Sequence, residues 1–215
     1  MSIAPSSSPS AAPLLRVEDL RVRFGSKEVV HGVGFEIAAG EKLALVGESG
    51  SGKTITALSL LRLAGDAELS GRALMAGRDL LQLSERELRG VRGGDIAMVF
   101  QEPMTALNPL MPVGRQIAEV LQLKQALTPG ESAQAAIEML AKTGIPEPAR
   151  RARAFPHQLS GGQRQRAVIA MALASRPRLL LADEPTTALD VTLRGQILDL
   201  LSDLQRETGM AVLLI

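Results

Sequence analysis

The alternation of apolar and polar positions divides the chain into short strands and amphipathic helices. Two early segments, LRVEDLRVRF (15–24) and VVHGVGFEI (29–37), alternate with the two-residue period of strands in an antiparallel sheet. KLALVG follows as a short apolar strand that leads into a glycine-rich loop. KTITALSLLRLAG then has helical spacing up to Gly65. This order of strand, loop and helix is the setting that a phosphate-binding loop requires.

Downstream, apolar runs and amphipathic segments continue to alternate. Short apolar runs predict strands around 72–75, at DIAMVFQ (95–101), at LLLADE (179–184) and in the final MAVLLI. From 102 to about 175 the spacing is mainly helical, with separate helices at VGRQIAEVLQL and TPGESAQAAIEMLAKTG. LRGQILDLLSDLQRETG is an amphipathic helix whose apolar face carries Ile197, Leu200, Leu201 and Leu204. The order predicts an α/β fold with a mostly parallel sheet, an N-terminal antiparallel β subdomain and an inserted α-helical lobe.

Two helix starts carry a recognisable capping pattern. Ser84 and Glu87 are three residues apart, as are Thr128 and Glu131. A hydroxyl residue followed three positions later by Glu predicts a capping box at each start. Pro129 fits the first position of the second helix, where its missing N–H costs nothing.

Composition limits the class of protein. Hydrophobic residues make up 46% and charged residues 22%, as in a soluble globular protein with a core. Aromatic residues are only 2% and the net charge is +1, which argues against nucleic acid as a partner. With no Cys, disulfides and thiolate metal sites are excluded. The Ser/Pro/Ala-rich segment 1–13 predicts a disordered lead-in to a domain spanning 14–215.

The loop GESGSGKT (47–54) matches the phosphate-loop pattern G-x-x-x-x-G-K-[ST]. Its glycines let successive backbone N–H groups face inward toward the β- and γ-phosphates of a nucleotide. Lys53 adds a positive charge, Thr54 offers a hydroxyl to Mg²⁺, and the following helix contributes its positive end. We therefore predict a P-loop NTPase core in which nucleotide contacts come from Gly47, Glu48, Ser49, Gly50, Ser51, Gly52, Lys53 and Thr54.

Asp183 and Glu184 stand at the end of the apolar strand LLLADE. Ligands of parallel sheets bind beyond the carboxyl ends of the strands, so both carboxylates are expected to face the phosphate loop. Asp183 is predicted to hold Mg²⁺ through water, and Glu184 to orient and deprotonate the attacking water. Gln101, which follows the strand DIAMVF, is predicted to reach Mg²⁺ or that water; a plain surface glutamine is the alternative.

A second glycine-containing motif, LSGGQ (159–163), precedes another helix. Ser160 and Gln163 predict a capping box, which explains these two residues without any ligand. The glycines between them are not explained in that way, since each costs about 1 kcal/mol relative to Ala within a helix. Gly161 and Gly162 therefore predict close approach of an anion to the helix N-terminus.

Together these motifs resemble the ATP-binding subunits of ABC transporters. GESGSGKT, Gln101, LSGGQ, LLLADE and TALD lie in that family's order, and the similarity runs from Leu15 to Ile215. The resemblance implies ATP and Mg²⁺ as ligands and a head-to-tail pair of subunits, in which each LSGGQ closes over the ATP of the other. The residues acting in trans would be Ser160, Gly161, Gly162, Gln163 and, at the seam, Asp190.

The same resemblance implies that Phe24, 23 residues ahead of Gly47, stacks on adenine. A core or edge-strand phenylalanine is the alternative, and the sequence leaves both open.

A narrower resemblance is to the peptide/nickel branch of importers, carried by VFQEPMTALNPLMPVGRQIAEVL, FPHQLSGGQRQR and ADEPTTALDVT. It implies a subunit that energises import of peptides from the cytoplasmic face of the inner membrane. The implied partners are an identical or related ATP-binding subunit, membrane-spanning permease subunits and, indirectly, a cargo-binding protein. Permease contact is expected at Pro103, Met104, Leu107 and Pro109. Packing of that apolar segment inside the lobe is the alternative.

The sequence departs from the family at its end. The family places a γ-phosphate-contacting histidine just after the strand AVLLI, and this branch also carries a C-terminal extension; the sequence stops at Ile215. His31 and His157 do not replace that histidine on pattern grounds. A final apolar strand is also expected to leave an unprotected sheet edge. We therefore expect a truncated chain whose hydrolysis on its own is in question.

Two other functions fit parts of the sequence. A binding-only subunit would hold nucleotide and hydrolyse it poorly for want of the histidine. A soluble ABC protein acting on ribosomes or DNA is the second. Against it, the stretch between Gly52 and Leu159 is too short for a long coiled-coil insertion, and no basic face is evident.

Overall fold

The computed structural model describes residues 12–102, 106–187 and 189–215. Within these ranges the strands form two four-stranded sheets. The first is antiparallel, with spatial order β2 (Lys27–Ile37), β1 (Leu15–Phe24), β4 (Glu68–Met75) and β5 (Arg78–Asp79). The second is parallel, with spatial order β3 (Lys42–Ala44), β8 (Ala211–Leu214), β7 (Leu179–Ala182) and β6 (Ile96–Val99). The predicted α/β fold with an antiparallel subdomain is confirmed.

Helices connect and cover the strands. They are α1 (Lys53–Leu60), α2 (Glu85–Val91), α3 (Val113–Gln125), α4 (Pro129–Lys142), α5 (Pro148–Arg151), α6 (Gly161–Leu173) and α7 (Val191–Thr208), with a 3₁₀ turn at Pro156–Gln158. Helices α3 to α6 lie between β6 and β7, within the segment 102–175 that the sequence assigns to a helical lobe. None of the helices in the described ranges is long and apolar enough to cross a bilayer.

Strands β6, β7 and β8 of the parallel sheet pack against a core on each face, which explains their apolar runs, whereas the outer strand β3 is largely exposed. Along β7, Leu180 and Ala182 pack in one core with the helical lobe and α7. Leu179 and Leu181 pack on the other side, in a core shared with the antiparallel sheet and α1. The two-residue period of a strand thus places β7 in both cores, and β6 and β8 are divided between the cores in the same way.

Capping confirms two predicted helix starts. Ser84 caps α2 and Thr128 caps α4, each through a reciprocal bond with the glutamate three residues later. At α4, the Thr128 backbone N–H donates to Glu131 Oε2 at 2.9 Å. Pro129 occupies the first helical turn, as expected.

The predicted end of α1 is wrong by several residues. The helix ends at Leu60 rather than at Gly65, because Arg62 adopts a left-handed backbone with φ 50°. Leu63 N–H then donates to Leu58 O at 2.8 Å, and Arg62 N–H donates to Ser59 O at 3.0 Å. This pair of hydrogen bonds is a Schellman motif, in which the left-handed residue is usually glycine. Because the residue in that position is an arginine, the sequence does not indicate that the helix ends there.

The expectation of an unprotected final strand is also wrong. Strand β8 lies inside the sheet, with Leu213 paired to Leu43 of β3 and to Leu181 of β7. In the described part of the sheet the outer strands are β3 and β6.

Candidate active site

The glycine loop joins β3 to α1 and curves around a lysine. Lys53 Nζ donates to the carbonyl oxygens of Gly47 and Glu48, both at 2.8 Å. Gly52 has φ 87°, and a Cβ there would lie 2.7 Å from the carbonyl oxygen of Val29. Only glycine therefore lets the loop pass this close to β2. The result is an exposed backbone curve ahead of a helix N-terminus, which fits an anionic ligand.

The start of α1 meets the end of β7 through one hydrogen bond. Thr54 Oγ1 donates to Asp183 Oδ1 at 3.0 Å, across 129 residues of sequence. Asp183 is only 2% exposed. Burial raises the pKa of its carboxyl, the nearby Glu184 charge adds to the rise, and the Thr54 hydrogen bond and Lys53 oppose it. A buried carboxylate beside a hydroxyl supplies the hard oxygen donors that Mg²⁺ prefers.

Two other predicted site residues, Gln101 and Glu184, contact each other. Gln101 Nε2 donates to Glu184 Oε2 at 3.1 Å. Thr187 Oγ1 donates to the same oxygen at 2.8 Å. Glu184 has φ 43°, a left-handed backbone that costs a residue with a Cβ about 1–3 kcal/mol. Strain of this kind clusters at functional sites, so it agrees with the role predicted for Glu184.

Replacing Asp183 by asparagine is expected to stabilise the nucleotide-free and Mg²⁺-free protein at pH 7. Because the pKa of Asp183 is raised, the folded state favours the protonated carboxyl. The contribution of Asp183 to the free energy of unfolding is therefore complete only below the pKa of the unfolded state. It is lost as the pH rises through the pKa of the folded state. Asparagine lacks the charge and still accepts from Thr54. The urea midpoints of Asp183→Asn and wild type should therefore differ most at neutral pH. They should converge as the pH falls toward 3.8, the ordinary pKa of the carboxyl. A lower midpoint for the variant at pH 7 would contradict the account.

The LSGGQ motif forms a capped helix start, and its two glycines differ. Ser160 Oγ accepts from the Gln163 backbone N–H at 3.3 Å, and the Gln163 side chain bonds back to Ser160. A Cβ on Gly162 would lie 3.2 Å from Leu193 Cδ1, so α6 and α7 pack closely at this glycine. The nearest atom to a Cβ on Gly161 would be 3.9 Å away. The close approach of Leu193 gives Gly162 a packing reason that Gly161 lacks, and contact of the two glycines with a ligand stays a prediction.

The remaining motif positions lie away from the glycine loop. Within the described ranges no hydrogen bond links residues 160–163 to residues 47–54. Asp190 caps α7, where its Oδ1 accepts from Leu193 N–H at 2.9 Å. Phe24 ends β1 and is 38% exposed, so it is not a core residue. For these residues, contact with ATP stays a prediction.

The segment after Gln101 corrects one predicted contact and adds another residue. Pro103 and Met104 lie outside the described residues. Leu107 is only 2% exposed and belongs to the lobe core, so the predicted surface contact at Leu107 is wrong. Pro109 is exposed, and beside it Leu110 is 84% exposed. Sequence reasoning missed Leu110 because two leucines three residues apart give no signal of which one the lobe buries.

The loop that displays Leu110 is fixed by a buried glutamine. Gln116, 7% exposed, accepts from Asn108 N–H at 2.9 Å. Its Nε2 donates to the carbonyl oxygens of Asn108 and Met111, at 3.0 and 2.9 Å. A groove of about 330 Å³ opens between the end of α1, β6 and the lobe, and its lining includes Leu63, Phe100, Ala106, Val120 and Met171. An exposed leucine on a fixed loop and an apolar groove are features of a protein-binding surface.

Comparison with known proteins agrees with the site. A family model described as ABC transporter matches residues 30–187. The chain is 56% identical over 210 residues to the peptidoglycan transport ATP-binding protein YejF of Agrobacterium fabrum, covering 94% of this chain and 38% of that protein. It is 48% identical over 209 residues to the oligopeptide transport ATP-binding protein OppD of Bacillus subtilis, covering 94% and 58%. It thus spans about two fifths to three fifths of these relatives.

Solved structures show the same fold. The dimeric ATP-binding cassette MJ0796, bound to ADP and Pi, superposes with a TM-score of 0.80 at 30% identity, covering 93% of this chain and 86% of that one. CbiO1 from Clostridium perfringens, part of the ABC transporter complex cbiONQ, superposes with a TM-score of 0.80 at 27% identity, covering 94% and 77%. The family model, which covers most of the chain, and these likenesses lead to one conclusion: the chain belongs to the ABC transporter family of ATP-binding proteins.

Proposed function

We propose that this chain is the ATP-binding and ATP-hydrolysing subunit of an ABC importer for peptides. The observation that carries the proposal is the hydrogen bond between Thr54 and Asp183, which joins the glycine loop to the strand-end carboxylates. Its chemistry suits a nucleoside triphosphate with its metal ion. Similarity to oligopeptide and dipeptide transport ATP-binding proteins supports the cargo class.

ATP binding is assigned to the loop and its surroundings. The exposed backbone of residues 47–52 provides N–H groups for the phosphates, and Lys53 provides a charged donor. Phe24, partly exposed at the end of β1, provides an aromatic face for adenine. Thr54 and Asp183 would hold Mg²⁺, with Gln101 as a further neutral ligand. When bound, that ion supplies neutralisation of the phosphate charge.

Hydrolysis is assigned to Glu184. Its carboxylate takes a proton from a water molecule while the water oxygen forms a bond to the γ-phosphorus. The bond from that phosphorus to the bridging oxygen breaks, which leaves ADP and inorganic phosphate. Gln101 helps orient the carboxylate through its 3.1 Å hydrogen bond.

Completion of the site is assigned to a second ATP-binding subunit. Ser160 and Gly161 are exposed and Gln163 is half-buried at a helix start that makes no hydrogen bond to this chain's own loop in the described ranges, and Gly161 leaves its backbone open. Asp190 stands on the neighbouring helix start and would lie at the seam. The MJ0796 cassette, of similar fold, is described as dimeric with ADP and Pi. We assign these residues, together with Gly162, to the ATP held by the other subunit.

Transmission to the membrane is assigned to the groove beside the lobe and to Leu110. The partners would be permease subunits, with the chain at the cytoplasmic face of the inner membrane and the cargo-binding protein acting indirectly through the permease. A soluble role on ribosomes or DNA is not favoured, because the relatives described above are transport proteins. Cofractionation with membranes rather than with ribosomes or DNA tests this assignment.

Leu110→Asp is expected to leave ATP affinity within about twofold of wild type and to reduce peptide uptake at least about tenfold. The reason is that a carboxylate at an interface centre is desolvated without a partner, at a cost of a few kcal/mol. Uptake of labelled peptide and nucleotide titration in the full transporter measure the two effects. Leu123→Asp is the matched control, since Leu123 is also exposed, at 82%, on α3. Equal loss of uptake in both variants would overturn the assignment of Leu110.

A further inference from the structure

Two donors converge on one oxygen of Glu184. Gln101 Nε2 and Thr187 Oγ1 both donate to Oε2, at 3.1 and 2.8 Å. Within the described ranges the other oxygen, Oε1, accepts no hydrogen bond. The carboxylate is therefore held by one oxygen, and the other remains open to a ligand.

The two donors come from different parts of the molecule. Gln101 follows β6, at the start of the segment that leads to the helical lobe. Thr187 belongs to the same tight turn as Glu184, since Thr187 N–H donates to Glu184 O at 3.2 Å. Leu189 N–H in turn donates to Thr186 O at 3.1 Å, which continues the turn toward α7. The Thr187 hydroxyl therefore belongs to the same local turn as the carboxylate that it contacts.

We propose that Thr187 is a positioning residue for Glu184. Its hydroxyl fixes Oε2 and leaves Oε1 as the atom that takes the proton from water. This inference rests on the proposed function, because it concerns the step assigned to Glu184. It also gives the exposed hydroxyl of Thr187 a reason, since the backbone of the turn alone does not require one.

The left-handed backbone of Glu184 strengthens the argument. A left-handed residue with a Cβ persists only where the surrounding structure holds it, and the hydrogen bonds from Gln101 and Thr187 are two such contacts at Glu184. Gln101 and Thr187 together restrict rotation of the carboxylate, and loss of either leaves one restraint. Misplacement of a catalytic group by about 1 Å can cost about a hundredfold in rate. A tenfold to hundredfold effect on turnover is therefore expected when the Thr187 hydroxyl is removed.

The test compares Thr187→Val, which removes the hydroxyl at nearly constant shape, with Thr187→Ser, which keeps it. In the assembled transporter with the full-length native chain, Thr187→Val should lower kcat about tenfold or more, with KM for MgATP within about twofold. Thr187→Ser should stay within about threefold of wild type. Thr192→Val, at an exposed threonine on α7, is the control and should match wild type.

Two further readouts separate positioning from a merely structural role. In the nucleotide-free protein, amide hydrogen exchange over 184–189 should be equal in Thr187→Val and Thr187→Ser, because the backbone hydrogen bonds of the turn do not involve the hydroxyl. In a Glu184→Gln background, Thr187→Val should lower the residual rate no further, because it acts through Glu184.

Wild-type turnover in Thr187→Val, or a Thr187→Ser variant as slow as the valine variant, would overturn the inference alone. A further rate loss in the Glu184→Gln background would do the same. A wild-type assembly that binds or hydrolyses no ATP would overturn the proposed function and this inference with it.

Discussion

Lys53→Ala is expected to weaken MgATP binding by about tenfold to a hundredfold. A charged donor contributes about 1.5–3 kcal/mol to a hydrogen-bonded contact, and each 1.4 kcal/mol is a factor of about ten in affinity. In the nucleotide-free protein the ammonium lies inside the loop, on the carbonyl oxygens of Gly47 and Glu48. It is therefore already placed where the phosphates would arrive.

Isothermal titration with MgATP measures the effect. Lys42→Ala is the matched control, because Lys42 is an exposed lysine on β3 just ahead of the loop. The control should bind as wild type does, and circular dichroism should show both variants folded. An unchanged dissociation constant in Lys53→Ala would remove the assignment of residues 47–54 to phosphate binding.

Glu184→Gln is expected to lower the rate of ATP hydrolysis by about a hundredfold to ten-thousandfold, the usual contribution of a general base. The amide oxygen of glutamine still accepts hydrogen bonds from Gln101 and Thr187, so the turn should keep its shape. It has no carboxylate to take the proton. Binding of MgATP should therefore persist, and an ATP-bound dimer should accumulate in the full-length native protein.

Single-turnover hydrolysis and light scattering with ATP measure these two effects. Glu138→Gln, an exposed carboxylate on α4, is the control and should hydrolyse at the wild-type rate. Hydrolysis that continues at that rate in Glu184→Gln would exclude Glu184 as the base. A variant that stays monomeric with saturating ATP would count against nucleotide-driven pairing.

Much of the architecture follows from local pattern. Hydrophobic periodicity predicted the strands and the lobe helices, and the capping boxes at Ser84, Thr128 and Ser160 fixed three helix starts. The rule that ligands bind beyond the carboxyl ends of parallel strands predicted that Asp183 faces the glycine loop, where it accepts a hydrogen bond from Thr54. These predictions depend on short-range spacing or on topology, both of which the sequence displays.

What sequence reasoning missed depends on packing between distant segments. Leu107 and Leu110 look equivalent until the lobe core buries one of them. The Gly162 contact with Leu193 joins two helices that no spacing rule relates. Arg62 ends α1 in a conformation for which arginine gives no signal. No sequence pattern singles out Thr187, because its role comes from a side-chain hydrogen bond within a turn.

The central claim is that the ATP on the glycine loop of one chain is closed over by residues 160–163 of a second chain. The sequence contains no cysteine, so any disulfide formed must join the introduced cysteines. In a Glu184→Gln background, one preparation carries Ser51→Cys and another Ser160→Cys, and the two are mixed under mild oxidation. We predict a disulfide-linked dimer that joins the two variants with MgATP and is absent with ADP. No mixed dimer with ATP, together with an intrachain disulfide when both cysteines are in one chain, would contradict the account.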